Sequence, residues 1–165
     1  MSYQSDILKM QIGKMLDLVL IAHKDQKYGD KDYIYHLNMV AAKVIDLFGK
    51  GVSEEEKLLL QMISLGHDLI EDTFVDSAHL EALGIPRVVI EAIEFVTKKE
   101  GLSYNDYLRQ IAHHSSDVAF KVKVADTYCN LRESIKCGDV KRVRKYGLQL
   151  EKLYKFKNEI NYQTD

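Results

Sequence analysis

Breaks are scarce in this chain: one proline and nine glycines in 165 residues exclude a succession of short, turn-bounded segments, and long helices are expected. Cysteine is scarce as well. Cys129 and Cys137 stand eight positions apart in what reads as one helix and its end, too far along the axis to bridge easily. A disulfide framework is thereby excluded, and a reducing, cytoplasmic location is expected. No basic, then apolar, then small-residue leader opens the sequence, and the apolar stretch from Leu16 to Ala22, which carries Asp17, is far short of a membrane span. Nor does one sign of charge prevail. The 23 basic and 25 acidic residues are interspersed and leave a net charge of -2. Nothing therefore marks a surface for nucleic acid or an anionic membrane, and a small-molecule ligand is favoured. With 46% hydrophobic and 29% charged residues, the length suits a single domain over 1–165 with a full-sized core.

What is present is helical periodicity. Ile7, Leu8, Ile12, Met15, Leu16, Val19, Leu20 and Ala22 predict a first helix ending near residues 27–30, where Tyr28-Gly29-Asp30-Lys31-Asp32 reads as a loop. A second helix begins near Tyr33, carries Leu37, Val40, Ala41, Val44, Ile45 and Phe48 on one face, and stops at Gly49 and Gly51. Ser53 with Glu56 forms a capping-box pattern for a third, running to about Glu71. After a looser stretch, a short helix from Ser77 to Leu83 precedes the Gly84-Ile85-Pro86 break. Others follow from about Arg87 to Lys98, from Ser103, from Val118 to about Lys136, and from Asp139 onward. No alternating strand pattern of useful length interrupts them, so the expected fold class is all-α, a single helical bundle.

The chemistry concentrates in one block. His67-Asp68-Leu69-Ile70-Glu71-Asp72 reads as the polar end of an otherwise apolar helix, with His67 above Glu71 and Asp68 above Asp72 at about 100° per residue. Four such groups at a buried helix end repel one another unless a positive partner joins them. A divalent cation is the natural one. Two further helices each set a polar residue on an apolar stripe: His36 one turn before Val40, and Asp126 one turn after Val122. Together His36, His67, Asp68 and Asp126 offer two imidazoles and two carboxylates, a set suited to manganese, iron or zinc rather than calcium. Taken singly, each has a plainer reading, as a hydrogen-bonded core histidine or an ion pair between helices. His113 and His114, before Ser115-Ser116-Asp117, read as exposed loop residues and are given no role.

The order His, then His-Asp, then Asp resembles that of the HD-domain metal-dependent phosphohydrolases. The segments Ala22-His23-Lys24-Asp25-Gln26, Tyr33-Ile34-Tyr35-His36, Gly66-His67-Asp68-Leu69-Ile70-Glu71-Asp72-Thr73, Val96-Thr97-Lys98, and Lys123-Val124-Ala125-Asp126 with Asn130-Leu131-Arg132 narrow it. They are similar to the hydrolase domain of the RelA/SpoT family and its small stand-alone alarmone hydrolases, over about Ile21 to Tyr146. The resemblance implies an HD-domain helical bundle that removes the 3′-pyrophosphate from guanosine alarmones, ppGpp or pppGpp, with manganese as cofactor. It further implies that His36, His67, Asp68 and Asp126 hold the metal and that Glu71 and Asp72 activate water and handle its proton. Asn130 would contact the substrate, and Arg142 and Tyr146 would line the same pocket. Lys24, Lys27 and Lys123 are expected to neutralise phosphate charge.

The chain departs from the family in several places. Lys27-Tyr28 stand where an arginine and a further basic residue follow the Ala-His-x-x-Gln pattern, the next loop is shortened, and Cys129 and Asp32 replace a histidine and a proline. Other readings stay open from the sequence: an HD-domain phosphatase of another nucleotide, such as NADPH or a nucleoside monophosphate; a non-catalytic nucleotide-binding helical protein; or a structural metal clamping three helices.

Overall fold

Apolar stripes of helical period carry the chain into a bundle, which the computed structural model describes over residues 3–114 and 116–161. Helix α1 (Tyr3–Ala22) leads through a hairpin, β1 (Lys27–Tyr28) and β2 (Lys31–Asp32), into α2 (Ile34–Phe48). Next come α3 (Glu54–Gly66), the single turn α4 (Leu69–Asp72), α5 (Ser77–Ala82), α6 (Arg87–Val96), α7 (Tyr104–His113), α8 (Val118–Lys136) and α9 (Val140–Asn161). The all-α expectation holds, with the antiparallel hairpin as the one strand element among the described residues. Ser115 lies outside the described residues, as do 1, 2 and 162–165 of the expected single domain.

Packing follows from the stripes. α2 packs on α3 and α8, α1 on α3, and α9 on α7 and α8. Leu37, Val40, Val44, Leu60 and Ile63 are fully buried in one cluster, which Ile93 of α6 and Val122 and Ala125 of α8 complete. Leu108 and Ile111 of α7 meet Phe120 of α8 and Leu153 of α9 in a second. Each fully buried aliphatic side chain contributes roughly 1.5–3 kcal/mol. Tertiary burial therefore holds α2, α3 and α8 in register, and the candidate ligands ride on or beside those three helices.

Ser53 caps α3 as expected, its Oγ accepting from the Glu56 N–H at 3.1 Å. The Glu56 carboxylate, instead of reaching back to close a capping box, accepts from Lys121 Nζ on α8 at 2.9 Å. Three expectations are corrected. Helix α1 ends at Ala22 rather than near 27–30, because the chain turns into the hairpin around Gly29, whose φ of 65° suits glycine. Helix α3 stops at Gly66 rather than Glu71, and Asp68 sits at φ -101°, ψ 0° before α4 begins. There the His67 ring donates from Nδ1 to the Ser64 carbonyl at 2.7 Å, competing for the acceptor that the Asp68 N–H would use in a continuing helix. Gly66, a poor helix former, precedes this point. Finally, His113 is exposed as expected but closes α7 instead of lying in a loop, with Nε2 donating to the Phe156 carbonyl at 3.0 Å, and His114 is half-buried against Phe95.

Candidate metal centre

The break after Gly66 lets adjacent residues converge. On an unbroken helix His67 and Asp68 would diverge by about 100°; here His67 Nε2 and Asp68 Oδ2 are 3.1 Å apart. Helix α2 brings His36 Nε2 to 3.9 Å from the same oxygen. Helix α8 brings Asp126 Oδ1 to 3.2 Å from His36 Nε2 and 3.6 Å from His67 Nε2. His36, His67 and Asp68 place ligand atoms within 4.8 Å of one another. An ion with bonds of about 2.1 Å sets neighbouring ligands roughly 3.0–3.4 Å apart, so the cluster is of the right size. Both imidazoles and Asp126 are buried, and Asp68 is half-buried.

The electrostatics also call for a cation. His67 Nδ1 is committed to the Ser64 carbonyl, which turns Nε2 towards the carboxylates, and this buried nitrogen has no hydrogen-bond partner among the described residues. Burial disfavours a charged imidazole, yet Asp68 and Asp126 outweigh it and raise His67 to about 10. Burial also opposes charge on the two acids. His67 nevertheless holds Asp68 at about 2, and Lys123 with both histidines holds Asp126 well below the carboxylate range. Two ionised carboxylates thus draw a positive charge to one spot, a proton in the absence of metal. Two imidazole nitrogens and two carboxylate oxygens fit a first-row divalent ion.

A second layer fixes these groups. Lys123 Nζ donates to Asp126 Oδ2 at 2.9 Å, so the lysine expected at a phosphate is engaged by a candidate ligand. Asn130 Nδ2 donates to Asp126 Oδ1 at 2.6 Å, and the Tyr33 hydroxyl donates to Asp68 Oδ2 at 2.6 Å. On α4, Glu71 Oε2 accepts from the Lys98 N–H at 3.0 Å, and the Asp72 carbonyl accepts from Gln26 Nε2 at 2.7 Å. Burial raises the Asp72 carboxyl, and Asp68 and Glu71 raise it further, which suits proton acceptance nearer neutrality.

The cluster floors a cleft of about 390 Å³. His36, Asp68, Glu71, Asp72, Asp126, Asn130, Arg142 and Tyr146 line it, and His67 lies buried behind them. Lys24 and Lys27 lie outside it: Lys24 borders a separate hollow, and Lys27 pairs with Asp32 across the hairpin. Successive strand residues point to opposite faces, so a hairpin that turns Tyr28 into the cleft turns Lys27 away. Sequence reasoning missed Tyr28, Tyr33, Tyr104, Tyr107, Lys98, Lys145 and Gln149 as lining residues. Lys98 sat inside an informative segment and Lys145 beside Tyr146, whereas Tyr107, which is buried, has the pattern of any core aromatic. Arg142 and Lys145 flank the Tyr146 ring at 5.7 and 5.0 Å. Among the described residues Lys98, Arg142 and Lys145 make no ion pair, which leaves three cleft cations unmatched.

Fold and donor set together describe a helical bundle with a His, His-Asp, Asp cluster at the base of a cleft. The solved structure of a metazoan ortholog of SpoT, a protein that hydrolyzes ppGpp and plays a role in starvation responses, has a TM-score of 0.69 to this chain. The two are 22% identical over 88% of this chain and 84% of that one. The chain thus shares its fold with that SpoT ortholog, in line with the helical bundle that the resemblance in sequence implied. No family model and no curated protein matches the chain. Among the described residues, no helix is long and apolar enough to cross a membrane.

Proposed function

We propose that this chain is a single-domain, divalent-metal-dependent phosphohydrolase that removes the 3′-pyrophosphate from guanosine alarmones such as ppGpp and pppGpp, leaving GDP or GTP. One observation carries the reading: a buried anionic cluster fit for a cation and a set of unmatched cations fit for phosphates share one cleft. Likeness in fold to a protein that hydrolyzes ppGpp supports the choice of substrate.

His36, His67, Asp68 and Asp126 hold the ion, for which Mn²⁺ is the proposed choice. Such an ion, when bound, acidifies water and screens phosphate charge. Glu71 and Asp72 orient the attacking water and take up its proton, Asp72 being the acid whose surroundings make it more basic. Lys98, Arg142 and Lys145 neutralise the phosphates, and Tyr146 is held at the cleft by its two cationic neighbours. The new bond from water to phosphorus replaces the bond to the 3′ oxygen, which takes up the proton removed from the water, and pyrophosphate departs.

Tyr28 favours a second reading. A neutral ring lies on His36 where the family pattern has basic residues, so NADPH or a nucleoside monophosphate is the alternative substrate of the same site. The test offers ppGpp, NADPH and deoxynucleoside monophosphates to the Mn²⁺-loaded protein and to Asp68→Ala and Glu71→Ala. Hydrolysis of ppGpp is expected to vanish in both variants, with Mn²⁺ binding lost only in the first. Turnover of another phosphoester alone would select the second reading, and no turnover at all would leave a nucleotide binder.

A further inference from the structure

Tyr28 touches the candidate ion site on two sides. Its ring stacks on the His36 imidazole, with centroids 4.5 Å apart and planes inclined by 17°. Its hydroxyl donates to Asn130 Oδ1 at 3.1 Å. Asn130 passes the link on, Nδ2 donating to Asp126 Oδ1 at 2.6 Å and to the Asp126 carbonyl at 3.2 Å. A phenol is un-ionised at neutral pH, so the Tyr28 hydroxyl is the donor in this bond. The amide hydrogens of Asn130 are thereby committed to Asp126, and one of its acceptor lone pairs is taken. Little of this amide is left for a ligand.

The hairpin explains how a residue so far from α8 in sequence reaches it. Tyr28 pairs with Lys31 and Lys27 with Asp32 in register, and the Lys27–Asp32 ion pair ties the two strands. The Tyr33 N–H closes the base by donating to the Gln26 carbonyl at 3.3 Å. Between these ties Tyr28 is half-buried and aimed at α2 and α8 at once.

Resting on the metal-site reading above, we infer that Tyr28 is a positioning residue for the ion, holding His36 by stacking and orienting the Asp126 carboxylate through Asn130. Groups that orient metal ligands in this way are worth about 10–100-fold in metal affinity. The hydroxyl and the ring act on different ligands, so their contributions separate.

The test titrates Mn²⁺ alone, without nucleotide, into the full chain and follows both binding heat and the electron paramagnetic resonance spectrum of the bound ion. Tyr28→Phe, which keeps the stack and loses the hydroxyl, is expected to weaken binding by about 10-fold or less, and Tyr28→Ala by about 10–100-fold. In an Asn130→Ala background Tyr28→Phe should add nothing, because the hydroxyl acts through that amide. A merely structural role would instead lower the melting temperature in chelator and add to the Asn130→Ala effect. Equal Mn²⁺ affinity in folded wild-type and Tyr28→Phe proteins, with an unchanged spectrum, overturns the route through Asn130. Equal affinity in Tyr28→Ala as well overturns the whole inference and leaves the ion site standing. If the wild-type chain binds no Mn²⁺, the metal-site reading fails and takes this inference with it.

Discussion

The floor and the rim of the cleft carry opposite charge in opposite states. On the buried floor Asp68 and Asp126 face a single ammonium, that of Lys123, so one negative charge is left to be met by a proton on His67 or by an ion. On the rim Lys98, Arg142 and Lys145 are exposed and make no ion pair among the described residues. Burial accounts for the contrast. Removed from water, unlike charges must be brought together at close quarters, whereas water tolerates unmatched cations on a surface. A buried deficit attracts one compact cation, and an exposed surplus attracts an extended anion.

The largest expected effect comes from breaking the floor. Asp126→Ala removes a candidate ligand and strands the largely buried Lys123, so Mn²⁺ binding and turnover should both disappear. In chelator the variant should also lose about 3–5 kcal/mol of stability, read from urea midpoints. Retained Mn²⁺ affinity would show that α8 contributes no ligand.

Glu71→Gln tests whether one of the two water-handling acids is separable from the floor. It is expected to cut kcat by about 10²–10⁴-fold while leaving Mn²⁺ affinity unchanged. A fall in metal affinity of similar size would place Glu71 in the ligand set.

Breaking the rim should be milder. Arg142→Ala and Lys98→Ala are each expected to raise KM by about 10-fold to 100-fold, the worth of a charge-assisted hydrogen bond, without altering Mn²⁺ binding. The loss should shrink as salt is added, because exposed charges are screened. Altered Mn²⁺ affinity in either variant would mean that rim and floor are one electrostatic unit.

The smallest effect, per pH unit, lies in titration of the floor. His67 in metal-free protein is raised to about 10, so its proton adds stability that is complete below its ordinary value of 6.5 and is lost as pH climbs through about 10. A metal must displace that proton. Mn²⁺ affinity should therefore rise with pH, at most about tenfold per unit, with proton release on binding between about pH 6.5 and 8.5. A flat profile in calorimetry would exclude His67 as a ligand.

His36, His67, Asp68 and Asp126 were legible because a polar residue on an apolar stripe announces an unmet cost of burial. Their meeting point was not. The helix expected to run on to Glu71 breaks at Gly66, since the His67 ring takes up the Ser64 carbonyl, and only that break aims His67 and Asp68 at each other. Lys24 and Lys27 looked like phosphate contacts by charge and position, yet the alternation of a two-residue strand sends Tyr28 inward in place of Lys27. No local pattern separates a tyrosine that lines a cleft from one that fills a core.

Sequence alone determined that this protein is helical, where most of its helices begin, and which buried polar groups need compensation, because those depend on residues near one another in the chain. Tertiary structure alone decided how closely groups from α2, the α3–α4 junction and α8 approach one another, and that Lys145 of α9 and Lys98 join Arg142 at the cationic rim. Those distances depend on how buried side chains of helices remote in sequence interlock, and nothing in the order of residues states that directly.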